Sequence, residues 1–227
     1  MSDGSEKQIP KRSKGDNAHS LAKAGLSAIP MVGGAAAELF QHLVQPPLER
    51  RRQEWMEYVG EELRRLEANG MDLERLQNDD RFISTVMQAS QIAISTHEKQ
   101  KREALRNTVI NVAQGQAPDE AMEHMFLQWI GTLAPLHIKI LNVFQAPEPP
   151  GNMNMGGLSS VLESHFPELR GRREFYDQVW ADLYSRGLVN TRGLHTTMSG
   201  SGLASKRTTA LGDEFLRFIS HPEAEKL

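Results

Sequence analysis

Apolar residues recur at helical spacing through most of this chain, and polar or helix-breaking residues separate the periodic stretches. The clearest stretch places its apolar residues at i, i+3, i+4, i+7, i+8 and i+11: Met122, Met125, Phe126, Trp129, Ile130 and Leu133. This spacing puts them on one face of an α-helix, which must be buried. Pro118 and Asp119 provide a favourable helix start. A chain built from such stretches is predicted to be mainly α-helical.

Two further long helices are predicted in the N-terminal half. Residues 48–70 carry apolar side chains on one face and end at Gly70, which suits a helix C-cap. A second periodic stretch runs from near Asp79 to Gly115. Its middle, residues 96–103, is polar, so this helix is expected to kink or break there.

The extreme N-terminus has a different composition. Residues 1–18 are polar and lack an apolar period, which predicts a flexible tail. Residues 20–44 are small and apolar, with Pro30 and the Gly33-Gly34 pair interrupting them, and we expect one broken helix or two short ones that Pro46-Pro47 stops. Residues 19–131 are thus predicted to form a helical region.

The overall composition favours no particular partner. The chain is 39% hydrophobic, which is enough for a core, and its net charge is −3, so it has no general attraction to nucleic acid or anionic lipid. It contains no cysteine, which excludes disulfides and thiolate metal sites. Met1 opens a polar stretch that does not resemble a signal peptide, so a cytoplasmic location is predicted.

The pattern changes after residues 145–157, which are rich in Pro, Gly and Asn and predict a loop. A short helix is expected at residues 158–169 and a longer one that Gly187 closes. Two candidate strands follow, around residues 194–198 and 206–209, with the Gly/Ser-rich residues 200–202 between them. Thr209 is the predicted cap of a final amphipathic helix.

From Leu133 this order of helix, helix, helix, strand, hairpin and helix resembles the winged helix-turn-helix family. Residues 133–144 resemble its first helix, residues 158–169 its second and residues 172–189 its third. Residues 208–219 are similar to the Thr-x-x-Gly turn into the closing helix of many winged-helix regulators. The resemblance implies a C-terminal winged-helix-like domain at residues 132–221 with a small β-hairpin.

In DNA-binding members of that family the third helix enters the major groove. Six residues are expected to form its buried stripe here: Phe175, Tyr176, Val179, Trp180, Leu183 and Tyr184. The outward face then carries acids and no base, which opposes approach to DNA. We therefore predict a surface that binds protein, formed by Glu174, Asp177, Gln178 and Asp182.

Duplex DNA is the first alternative partner. Six basic residues flank the third helix or lie in the hairpin and are candidates for phosphate contacts: Arg170, Arg172, Arg173, Arg192, Lys206 and Arg207. These side chains could hold phosphates at two edges of the domain. From Leu133 onward, however, acidic and basic residues are equal in number.

A membrane is the second alternative partner. The longest uncharged run, between Lys23 and Glu38, has fourteen residues, short of the roughly 18 that a spanning helix needs. Its composition resembles the Gly/Ala segments of bacterial pore-forming and abortive-infection effectors, which implies that residues 21–44 act on a membrane through Gly25, Leu26, Ile29, Pro30, Val32, Gly33 and Gly34. The alternative is a helix buried against the faces of Trp55 and Phe82.

No motif indicates catalysis or metal binding. The eight histidines never occur in HxxxH or HExxH spacing, and Ser199 and Ser201 lie outside any GxSxG motif. No phosphate-binding GxxxxGK[ST] motif is present. We predict a non-enzymatic protein without metal or cofactor, and its long amphipathic helices also allow a homo-oligomer.

Overall fold

The structure is a computed structural model that describes residues 35–151 and 153–222, with side chains from residue 47 onward. The described residues are mainly helical, as predicted, and contain one small antiparallel sheet. The helices are α1 (Ala35–Ala68), α2 (Asp80–Ser95), α3 (Lys99–Ala113), α4 (Glu120–Thr132), α5 (Pro135–Gln145), α6 (Leu158–His165), α7 (Arg173–Ser185), α8 (Gly200–Leu203) and α9 (Ala210–Ile219), and the strands are β1 (Met155–Gly156) and β2 (Met198–Ser199).

The chain divides into two units between Pro47 and Leu48. The predicted tail at residues 1–18 and the seven candidate membrane residues between 25 and 34 lie outside the described residues. Within the described ranges no helix combines the length and the apolar character needed to cross a bilayer.

Helix α1 differs from the prediction at its proline pair. Its backbone is helical through Pro46 and Pro47, which were expected to stop it. A proline itself adopts helical φ, and the cost arises from lost hydrogen bonds to the preceding turn. The residues around the pair include strong helix formers such as Ala, Leu, Glu and Arg, which offset that cost. The predicted end is confirmed, since Gly70 has φ of 91°.

The predicted break between the next two helices is confirmed. Helix α2 ends at Ser95 and α3 begins at Lys99. The Thr96 side chain accepts a hydrogen bond from the Glu98 backbone N–H at 3.2 Å, which stabilises a turn in place of helix. At the start of α2, Asp79 caps the helix by accepting from the Phe82 N–H at 3.0 Å.

One core joins the helices on both sides of residue 132. The Phe126 ring of α4 lies 5.3 Å from the Phe215 ring of α9. From α3, Asn107 donates to the Ile219 carbonyl at 2.9 Å and Asn111 to the Phe218 carbonyl at 2.8 Å. These amides satisfy the last carbonyls of α9, which have no partner within the helix. The predicted domain boundary therefore lies within a continuous core.

The small sheet pairs strands other than those expected. Strand β2 pairs with β1, from the loop before α6, with Gly156 opposite Met198. Thr208, in the second candidate strand, bridges to Val189. The two candidate strands do not pair with each other because residues 200–203 form α8, capped when the Ser199 side chain accepts from the Gly202 N–H at 3.3 Å. The expected hairpin between residues 194–198 and 206–209 is therefore wrong, and the sheet pairs β2 with β1 instead.

The turn into α9 is hydrogen-bonded to the chain that follows α7. Thr209 is its N-cap, as predicted, and accepts from the Gly212 N–H at 3.0 Å. The Thr209 hydroxyl also donates to the Gly187 carbonyl at 2.6 Å. A Cβ atom on Gly212 would lie 2.3 Å from the Leu188 carbonyl oxygen, so only glycine fits at this contact.

Candidate interaction surface on helix α7

Helix α7 presents one face to the core and one to solvent. Tyr176, Val179, Trp180 and Leu183 are buried, as predicted. The Trp180 ring packs edge-on against Phe144 at 4.8 Å between centroids, and its indole N–H donates to the Thr191 carbonyl at 2.9 Å. These contacts determine which side of α7 faces outward.

Two aromatic residues of the predicted buried stripe are exposed. Phe175 is 44% exposed and Tyr184 is 42% exposed. At 100° per residue they lie on opposite flanks of α7, each about a quarter-turn from the centre of the buried face. The buried face of α7 is therefore narrower than its apolar residues suggest. The prediction that Phe175 and Tyr184 are buried was wrong.

The Tyr176 hydroxyl ties α7 to the preceding helix. It donates to the Glu163 carboxylate of α6 at 3.0 Å. Burial and this hydrogen bond together raise the pKa of Tyr176 to about 12. The phenol thus remains a hydrogen-bond donor throughout the physiological pH range.

Two acids of the predicted interaction surface are held by histidines. The Asp177 carboxylate lies 2.7 Å from Nε2 of His195. The Asp182 carboxylate lies 3.4 Å from Nε2 of His137 and accepts from the Gln178 amide at 2.9 Å. These contacts bring distant parts of the sequence together at the solvent face of α7.

Burial lowers the pKa of His137, and the hydrogen bond to Asp182 offsets this only in part. The unfolded chain then binds a proton at the usual histidine pKa, near 6.5, while the folded protein binds it only at lower pH. Stability is therefore expected to fall as pH decreases through 6.5, by at most about 1.4 kcal/mol per pH unit from this group. Urea unfolding of the wild type and of His137→Gln between pH 8 and 5 measures how the free energy of unfolding depends on pH. If the variant shows the same pH dependence as the wild type, His137 is not responsible.

Four of the six candidate phosphate contacts are exposed, and three of these lie at or just before the start of α7. Arg170 and Arg192 form no side-chain hydrogen bond or ion pair with other described residues. Arg173 lies 3.5 Å from Asp177. Arg172 stacks on Phe175, with its guanidinium carbon 4.4 Å from the ring centroid.

The other two basic candidates serve contacts within the fold. Lys206 forms an ion pair with Asp213. Burial raises the pKa of that carboxyl, but hydrogen bonds from Lys206, Thr208 and Gln145 outweigh it, so the pKa of Asp213 lies below its usual value. Arg207 donates to the Gly202 carbonyl and thereby ties α8 to the chain before α9. Lys206 nevertheless remains exposed, whereas Arg207 is half-buried.

We define the α7 surface as Arg172, Glu174, Phe175, Gln178 and Asp182. Glu174 and Gln178 are exposed and polar, while Phe175 offers an aromatic ring that the Arg172 guanidinium covers on one side. An exposed aromatic ring beside hydrogen-bonding groups matches the composition of protein-binding hot spots. The sequence did not reveal Phe175, because its position fits the helical stripe equally well.

No group of three or more metal-ligating side chains occurs in the part of the chain that the structure describes. Comparison with protein-family profiles, with curated proteins and with solved structures found no match to this chain.

Proposed function

We propose that this is a non-enzymatic cytoplasmic protein whose C-terminal region, with a winged-helix-like arrangement of α5, α6, α7 and α9, binds another protein through the α7 surface. The observation that carries the proposal is the exposed Phe175 ring, which lies on one flank of α7 at the edge of a polar, partly acidic helix face. A ring of this size that is not part of the core gains much from burial in a partner's pocket.

Charge further supports a protein partner. The outward face carries Glu174, Asp177 and Asp182, and its basic residues, Arg172 and Arg173, lie only at the N-terminal end of the helix. A carboxylate face opposes the phosphate backbone of DNA, whereas it suits a partner with arginine or lysine side chains. Two of these acids are also preorganised by His195 and His137, which lowers the entropy lost on binding.

The first test replaces Phe175 with alanine. We expect partner affinity to fall at least tenfold, because an aromatic hot spot contributes about 2 kcal/mol or more to binding. The unfolding temperature should change little, since Phe175 is largely exposed. A photo-crosslinking phenylalanine analogue at position 175, introduced in the native cells, identifies the partner, and binding to the purified variants is then measured by calorimetry.

Tyr184 provides the matched control. It is equally exposed and lies on the opposite flank of α7. Tyr184→Ala should leave affinity unchanged, and a crosslinker at position 184 should not capture the partner. Equal crosslinking at both positions would count against the α7 surface as the binding site.

A DNA-binding regulator is the second candidate, because Arg170 and Arg192 are exposed cations without partners among the described residues. Together with Arg172 and Arg173 they could contact phosphates. In that case fluorescence anisotropy at low salt detects binding to duplex DNA, Arg172→Ala weakens binding to all sequences alike, and Lys206→Ala has little effect because Lys206 is paired with Asp213. If duplex DNA does not bind at about 50 mM salt, the DNA-binding function is eliminated.

The membrane-acting alternative depends on residues 21–44. Liposome leakage or toxicity on expression should disappear when that segment is deleted, and retention of either effect would remove the segment from consideration.

A further inference from the structure

An apolar groove lies between the C-terminal half of α1 and helix α2. Its volume is 360 Å³, and its walls include Leu63 of α1, Leu73 of the connecting turn, and Ile83 and Met87 of α2. Met87 at its rim is 60% exposed. This groove is far from α7 in sequence and plays no part in the proposed function.

The apolar surface continues along α1. Met56, Gly60 and Leu63 share one helix face, because they follow one another at intervals of four and three residues. Met56 is 59% exposed. Together with Ile83 and Met87, Met56 adds an exposed apolar side chain beside the half-buried Leu63, and neighbouring exposed apolar side chains mark interaction sites more often than isolated ones do.

Gly60 is the least expected residue on this face. It lies in the interior of α1, where glycine weakens a helix relative to alanine. A Cβ atom there would meet nothing within 4 Å, so no contact inside the protein requires glycine. Gly60 is half-buried, and the exposed Arg64 side chain donates to its carbonyl at 3.2 Å; once that side chain moves aside, the glycine lets the backbone of a second helix approach closely.

Opposite charges flank this apolar stretch symmetrically. Arg52 precedes it and Glu67 follows it, about 22 Å apart along the helix. Neither side chain forms an ion pair with another described residue. The midpoint between Arg52 and Glu67 coincides with the midpoint between Met56 and Leu63. This surface is therefore complementary to its own copy turned through 180°.

We propose that the chain forms a two-fold symmetric homodimer in which the α1 helices of two copies pack antiparallel across Gly60. In an isologous interface, residues at equal distances from the symmetry axis meet. Met56 of one copy then contacts Leu63 of the other, the groove at Ile83 and Met87 is covered, and Arg52 pairs with Glu67 twice. Charge complementarity selects a second copy as the occupant.

Sedimentation velocity of the full chain, over protein concentrations from roughly 1 to 100 µM, tests the dimer, with a reversible dimer as the expected result. Arg52→Glu alone, or Glu67→Arg alone, should raise the dimer dissociation constant by about tenfold, since each creates two like-charge contacts. The combined Arg52→Glu and Glu67→Arg variant should return the dissociation constant to its wild-type value, because opposite charges again face each other across the interface. Lys139→Glu, a charge reversal at an exposed site on α5, should have no effect.

A second variant separates the interface from the fold. Gly60→Leu introduces a helix-favouring side chain into open space, so circular dichroism should show an unfolding temperature unchanged or raised in dilute protein. The same side chain should abolish the dimer by blocking close approach of the helices. A chain that is monomeric at every concentration overturns the proposal. A dimer that these variants leave unchanged, or a double reversal without recovery, also overturns it.

Discussion

Gly212→Ala is expected to lower the free energy of unfolding by about 3 kcal/mol. The new methyl group would lie 2.3 Å from the Leu188 carbonyl oxygen, a backbone atom that cannot rotate away. The same turn carries the Thr209 hydrogen bonds to Gly212 and to Gly187. Displacing α9 would therefore also disturb its cap. Denaturant unfolding monitored by circular dichroism measures the loss, which corresponds to a fall in Tm of roughly 6–12 °C.

Gly131→Ala is the matched control. Gly131 also lies in a helix, and a Cβ there would contact the Ile92 side chain at 3.6 Å, an ordinary van der Waals distance. Alanine should be tolerated at that position or should stabilise the helix by up to about 1 kcal/mol. If Gly212→Ala were as stable as Gly131→Ala, the close approach of α9 to Leu188 would be wrong.

The second large effect is expected at the ion pair between α2 and α4. The Glu123 carboxylate is 5% exposed and lies 2.6 Å from the Arg81 guanidinium. The Thr85 hydroxyl donates to the other carboxylate oxygen. Arg81→Met leaves a buried carboxylate without its counter-charge, which costs about 3–5 kcal/mol when both groups are fully buried. Because Arg81 is 38% exposed, water compensates in part, and we expect about 2–3 kcal/mol.

A double-mutant cycle separates this charge effect from lost packing. The variant with both Arg81→Met and Glu123→Leu should recover at least about 1 kcal/mol relative to the sum of the single changes, because no unpaired charge remains. Arg50→Met is the control, since the Arg50–Glu54 pair is exposed and should contribute less than about 0.5 kcal/mol. Additive single changes at Arg81 and Glu123 would show that the pair is not coupled.

Local sequence features predicted the helices well because the responsible interactions are themselves local. Asp119 caps α4 by accepting from the Met122 N–H at 3.1 Å, and Thr209 caps α9 in the same way. Each cap and its N–H are three residues apart, so both partners are visible in the sequence. The apolar period predicted the buried face of α4 for a similar reason.

The strand pairing could not be predicted in this way. Strand β1 has only two residues within a loop rich in Pro and Gly, and its partner β2 lies far along the chain. A two-residue strand has no apolar alternation to detect. Its pairing depends on the tertiary position of β2, which α8 follows directly. The expected hairpin was the pairing nearest in sequence, and long-range contacts favoured another.

For the candidate site, the sequence identified the helix but not its functional side chains. It correctly placed Tyr176 and Trp180 in the core, yet it could not distinguish Phe175 from them, because all three fit one helical stripe. Nor could it show that Lys206 forms an ion pair with Asp213. Lys206 lies in the irregular chain before α9 and Asp213 lies within α9, so no regular spacing relates the two residues.

The sequence by itself thus determined the helical class of this protein, the caps of helices such as α4 and α9 and most of the buried face of α4, since those properties arise from residues within one or two turns. Only the tertiary structure decided which strands pair, which exposed aromatic ring remains available, and which cations are already neutralised. Such outcomes follow from packing between parts of the chain that meet only when the core forms, as the contacts of His137 with Asp182 and of Asn111 with the Phe218 carbonyl illustrate.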